Sequence, residues 1–268
     1  MSRKISPVAL IVLLMVMASR GETQLTQLFH HGKGDPLPPD PAPQASDLNA
    51  DQVVARYLAA RGGEQRLKGI RTVKMTGTRE TDFTLPITIV IAPGRFSRRV
   101  TQGSQVALWN VVDGQTNWEI NQRSGIVKPT PMPAKSAARY HRLADPQGPL
   151  VDARAKGNKI EVVGKQPLNG SPVYKLEVTS PDGAESYYYL DAKTFLPRRM
   201  VSSQYFAQVD EDYDVEVFYG DYRDVGGMKF PFKETTNAPE AHFSQTITWD
   251  KIELNQPIDD AAFRAPKS

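Results

Sequence analysis

The chain has 268 residues, with 33 basic against 30 acidic side chains and a net charge of +3, and the charges are interspersed. Such a mixture makes a solvated surface and excludes a nucleic-acid-binding face. There is no cysteine, which excludes a disulfide framework, a thiolate metal site, a cysteine nucleophile and an anchor on a lipid-modified N-terminal cysteine.

Arg3 and Lys4 precede an apolar run from Val8 to Ala18, followed by small and polar residues, the order of a secretory signal. The run is too short to cross about 30 Å of hydrocarbon, which takes roughly 20 residues. Residues 1–18 are therefore expected to be a signal peptide, cleaved after Ala18 or alternatively after Gly21, and the mature protein is expected in the periplasm. Five prolines between Asp35 and Ser46 favour an extended spacer, so residues 19–48 read as a Pro-rich flexible linker and 49–268 as one folded domain.

Asn49 or Asp47 can cap a helix from Ala50 to Ala60, with Val53, Val54, Tyr57 and Leu58 on one face and Gly62-Gly63 as its stop. A short turn of helix over Glu64–Lys68 follows. From Arg71 the period becomes alternating, through Val73 and Met75 and then Phe83, Leu85, Ile87, Ile89 and Ile91. Strands are expected at Arg95–Thr101, Val106–Val112 and Thr116–Asn121, the last two joined by an Asp113-Gly114 hairpin turn. Residues 129–157 break the alternation; they read as a Pro-rich connection, a helix near Ala134–Ala144 and a second short helix near Pro149–Ala155. Alternation resumes at Lys159–Val163, Val173–Thr179, Ser186–Asp191, Arg198–Phe206, Tyr213–Tyr222, Met228–Thr235 and His242–Leu254. The fold class is mostly β with a few helices. About eleven to twelve antiparallel strands in meander order are too many for a flat sheet, so the sheet must curve strongly, with helices covering one face.

The expected inner face carries Phe83, Ile87, Ile89, Trp109, Trp118, Tyr174, Leu176, Tyr187, Tyr189, Val217, Tyr219 and Trp249, as candidates to line a ligand cavity. The interrupted segment, with Ala138, His141, Leu143, Leu150 and Val151, is the candidate lid.

The stretches Val53–Gly63, Gly69–Thr72, Gly148–Asp152, Tyr187–Pro197 and Tyr219–Pro231, in this order and spacing, resemble the LolA-like periplasmic proteins, in the branch of outer-membrane lipoprotein-sorting proteins. The resemblance covers most of the chain from Asn49 onward. It implies a half-open, strongly curved antiparallel β-barrel with helices in its mouth, acyl chains bound between sheet and helices, and no catalysed reaction. The family's dedicated carrier holds its lid with an arginine on an early strand, for which Arg95, Arg98 and Arg99 are the candidates here.

Catalytic and metal chemistry find no constellation. His30, His31, His141 and His242 are scattered, Asp210-Glu211-Asp212 lacks the ligand pattern and glycine of a calcium loop, and no nucleophile elbow or phosphate loop occurs. No cofactor, no metal and no nucleic acid are expected, and the protein is read as a monomer and not an enzyme. The leading expectation is a soluble periplasmic carrier or chaperone for the acyl chains of lipids or lipoproteins, working between an inner-membrane donor complex and an outer-membrane acceptor. The alternative is a lipid-sensing regulatory module that engages an inner-membrane partner.

Overall fold

The structure, a computed structural model, describes residues 34–266. The expected signal peptide, the start of the linker, and His30 and His31 lie outside the described residues. No helix among the described residues is long and apolar enough to cross a membrane.

Helix α1 (Ala50–Ala60) starts from a reciprocal box: the Asn49 side chain accepts from the Gln52 N–H at 2.9 Å, and the Gln52 side chain accepts from the Asn49 N–H at 3.0 Å. Its buried residues are Val53, Tyr57 and Leu58. The helix ends at Gly62, whose φ is +118° and whose hypothetical Cβ would sit 2.2 Å from the Gly227 carbonyl oxygen. Only glycine allows both that conformation and that approach. Helix α2 (Glu64–Lys68) follows and buries Leu67. Both helices match the sequence expectation.

The strands are β1 (Val73–Glu80), β2 (Thr84–Ala92), β3 (Arg95–Gln102), β4 (Gln105–Val112), β5 (Asn117–Asn121), β6 (Ile126–Pro131), β7 (Lys159–Leu168), β8 (Ser171–Thr179), β9 (Glu185–Asp191), β10 (Pro197–Phe206), β11 (Glu211–Val225), β12 (Met228–Ala238) and β13 (Phe243–Leu254). They form one curved antiparallel sheet in the order β6-β5-β4-β3-β2-β1-β13-β12-β11-β10-β9-β8-β7. Two meanders, β1–β6 and β7–β13, are thus joined along the β1–β13 seam. Between them in the chain lie helix α3 (Ala134–Leu143) and a run of turns. The seam bends at a bulge beside Gly77, where a Cβ would meet the Thr248 carbonyl oxygen at 2.1 Å. The sheet is open, with β6 and β7 as its edges.

Two expectations change. Among the described residues there are thirteen strands, not eleven or twelve: β6 holds Pro129 and Pro131, which suggested a mere connection, but an edge strand tolerates missing N–H groups. The helix expected at Pro149–Ala155 is a series of turns, because Asp152 takes a left-handed φ of 51° that interrupts any helical run. In the proline-rich stretch, Gln44 exchanges backbone hydrogen bonds with Lys165 at 2.7 and 2.9 Å. It thereby occupies polar groups of the β7 edge that would otherwise face solvent.

The main core lies on the inner, helix-bearing face, where Val53, Leu67, Ile70, Ile87, Leu176 and Trp249 are all buried. The outer face carries two smaller cores. In one, Val90, Trp109, Val111, Trp118 and Ile120 pack with Phe263 from the C-terminal segment. In the other, Leu168, Val173 and Tyr189 pack together beneath Asp40.

Candidate functional site

Between α3, the turns after it and strands β8–β10 opens a cleft of about 580 Å³. Tyr188, Met200, Ser202 and Gln204 line it from the sheet, while Arg139, Leu143, Pro146 and Gln147 line it from the cover. Tyr188 and Met200 sit opposite each other in the β9–β10 register. The wall is thus a mixed apolar and hydroxyl-bearing surface, roofed by a helix.

Of the expected lining residues, Ile87, Ile89, Tyr174, Leu176 and Trp249 belong to the inner core. Strand alternation and pairing put Val217, opposite Met200, and Tyr219, opposite Glu234, on the same face. The remaining five are elsewhere. Trp109 and Trp118 belong to the outer core under Phe263, and Tyr187 and Tyr189 to the other outer core. Phe83 stands in the β1–β2 turn, 63% exposed. The reason is that a side chain's face depends on a period of two, and these strands are apolar on both faces because terminal segments cover the outside.

The cover also differs in register. Helix α3 buries Ala137 and Tyr140, followed by Ala144, whereas Ala138 is half-buried, and His141 and Leu143 are exposed. Leu150 and Val151 are buried in the inner core as expected, but from turns. Of the three candidate arginines, Arg98 touches the cover: it donates to the Tyr140 hydroxyl at 2.7 Å and to Asn110 Oδ1 at 2.8 Å. The Tyr140 ring stacks on Phe96 at 5.3 Å. Arg95 instead lies over the Phe263 ring and Arg99 over the Trp109 ring, both on the outer face. The turns are tied down by Gln147, which donates to the carbonyls of Lys68 and Ile70, and by Lys156 paired with Asp145 at 2.7 Å.

The inner wall also holds charges that the sequence reading passed over. Arg79 donates to Gln245 Oε1 at 2.6 Å, Asn110 donates to Glu119 at 3.1 Å, and Glu234 accepts from Trp249 Nε1 at 2.9 Å. Burial, followed by repulsion from Arg98 and Arg123, brings the pKa of Arg79 down to about 10. Burial pushes the carboxyl groups of Glu119 and Glu234 up, against the smaller opposing pulls of Arg98 and Asn110 on the one and Trp249 on the other. Their phase could have revealed them: Arg79 shares the phase of Val73 and Met75, and Glu234 that of Phe230 and Phe232. Among the described residues no group of three acidic or histidine side chains is placed to hold a metal ion.

A family model described as PepSY, the peptidase propeptide and YPEB domain, matches residues 134–194, the stretch from α3 to just beyond β9. No curated protein sequence matches the chain. Among solved structures, a DUF1329 family protein from Desulfovibrio piger superposes with a TM-score of 0.52 at 11% identity, covering 80% of this chain and 97% of that one. The LolA superfamily protein NE2245 from Nitrosomonas europaea gives a TM-score of 0.51 at 10% identity, covering 81% and 98%. The curved sheet with helices on its inner face thus shares its fold with that LolA superfamily protein.

Proposed function

We propose that this protein is an exported, periplasmic carrier that binds the acyl chains of lipids or lipoproteins between the inner face of its sheet and α3, for transfer toward the outer membrane. The observation that carries this reading is the roofed, partly apolar cleft of about 580 Å³ beside the inner core, a size within the range of ligand pockets, about 300–1,000 Å³. Its fold, shared with a LolA superfamily protein, supports the same reading. An acyl chain gains about 0.8 kcal/mol for each CH₂ group it buries, so a few contacts along such a wall suffice to hold it in water. On this reading the protein binds and releases its cargo and catalyses no reaction. Native mass spectrometry of the protein purified from periplasm tests this directly. Co-purifying acylated masses that disappear on delipidation are expected. A ligand-free protein that instead captures one inner-membrane protein would replace the carrier with a regulatory module.

A further inference from the structure

The charges on the inner wall are unbalanced. Arg79 on β1, Arg98 on β3 and Arg139 on α3 gather around Tyr140. The guanidinium carbons of Arg98 and Arg139 lie 5.5 and 5.3 Å from its ring centroid, and Arg98 donates to its hydroxyl. Among the described residues none of the three arginines has a carboxylate within ion-pair distance, although ion pairs are frequent elsewhere on this chain. Glu119 reaches Arg98 only through Asn110. Hydrogen-bonding capacity is left over as well. Arg79 uses Nε for Gln245, and Arg98 uses Nε and Nη2 for Asn110 and Tyr140. The other guanidinium nitrogens of these two residues make no hydrogen bond to a described residue and are not sealed from solvent. Burial and mutual repulsion both disfavour the charges of Arg79 and Arg139. A desolvated cation without a partner is costly, and a planar fork of N–H donors fits a phosphate or carboxylate.

We propose that Arg79, Arg98 and Arg139 form the binding site for the anionic head group, a phosphate ester or carboxylate, of an amphiphile whose acyl chain lies in the adjoining cleft. The proposal rests on the carrier reading and adds a cargo class to it: a singly charged or phosphorylated amphiphile is preferred over a neutral one. Arg139 belongs to both parts, since it also lines the cleft.

Calorimetric titration of the delipidated protein with dodecyl phosphate, dodecanol and inorganic phosphate tests it, on wild type and on the Arg79→Gln and Arg139→Gln variants. Arg98 is left intact because it also holds α3. Dodecyl phosphate is expected to bind wild type about tenfold or more tightly than dodecanol, from hydrogen bonds to charged groups. In Arg79→Gln that advantage is expected to collapse while dodecanol binding is unchanged; in Arg139→Gln, which also alters the cleft wall, the advantage is expected to collapse whatever becomes of dodecanol binding. Arg139→Gln should melt close to wild type, while Arg79→Gln, which also removes the donor to the buried Gln245, is expected to lose some stability, so binding is compared well below its melting transition. Equal binding of the two amphiphiles to wild type overturns the head-group site and leaves the carrier intact. Failure of both to bind overturns the carrier reading as well. Inorganic phosphate displacing dodecyl phosphate at equal concentration would assign the arginines to free phosphate and overturn the head-group proposal.

Discussion

Arg98 on β3 donates to the Tyr140 hydroxyl on α3 at 2.7 Å, so a charge-assisted hydrogen bond joins the buried face of the covering helix to the wall it covers, while Lys135–Asp212 and Arg142–Asp182 pair at its exposed margins. The Tyr140→Phe variant keeps the stacking on Phe96 and deletes only that bond. A loss of about 1–2 kcal/mol is expected, concentrated in the cover. Hydrogen exchange read peptide by peptide should speed up about tenfold across 134–144 and stay unchanged in α1. Unaltered exchange in α3 would mean the helix is held by its apolar contacts and marginal ion pairs without this bond.

Asp40 meets three donors on the outer face: Lys175 at 2.6 Å, Arg199 at 2.8 Å and the Tyr189 hydroxyl. Burial opposes its charge, but these bonds outweigh burial and hold its carboxyl below the usual aspartate range. Arg199 is also 2.8 Å from Glu216. Breaking such a half-buried network by Asp40→Asn is expected to cost about 2–4 kcal/mol at pH 7. A depressed folded-state pKa contributes stability that is complete above the unfolded value and is lost as pH falls through the folded one. Urea midpoints of wild type and variant should therefore converge below about pH 4. A gap that does not narrow at all as pH falls from about 5 to about 3 would assign the loss to packing.

At the β1–β13 seam, Gly77→Ala drives a Cβ into the Thr248 carbonyl, whereas at Gly220 a Cβ meets nothing within 4 Å. The first substitution is expected to cost about 3 kcal/mol or more, the second to fall within about 0.5 kcal/mol. Thermal melts of the pair check this, and similar melting temperatures would show that the seam can shift to make room.

The two faces of β9 and β10 offer a paired test of the cleft. Met200→Trp enlarges a residue of its wall, while Tyr187→Trp changes the outer face. A fluorescent fatty-acid probe should bind the first variant about tenfold more weakly, as expected for overfilling by a few methylenes, and the second as wild type. Equal affinity in both would mean acyl chains bind elsewhere.

How far the sequence foretold this arrangement depended on contrast along each element. Helices α1 and α2 were legible to the residue because Asn49 and Gly62-Gly63 carry unambiguous stop and start chemistry. Helix α3 was found, but its face was misjudged between Ala138 and Ala137. Several of its positions are alanine or basic, and an apolar stripe so thin does not fix its own orientation. The strands were found by alternation, yet Trp109, Trp118, Tyr187 and Tyr189 went to the wrong side. Nothing local told that Phe263 and Asp40 would return to cover the outside. Ile87, Leu176 and Trp249 lie on the inner face, in alternation with polar neighbours such as Thr88, Lys175 and Thr248. Arg79 and Glu234 were overlooked because apolar residues drew attention in the phase where charges were the informative exception.

Because Val73 pairs with Leu254 while β6 and β7 are left as edges, the first strand of the sheet finds one of its two neighbours in the last. Neighbours within each meander can pair soon after they exist, but the junction of the two halves waits for almost the whole chain. High contact order of this kind slows folding. Until β13 arrives, the β1 edge is an open template for pairing with another copy, so aggregation during refolding should originate from that edge more than from β6, where prolines already interrupt the ladder.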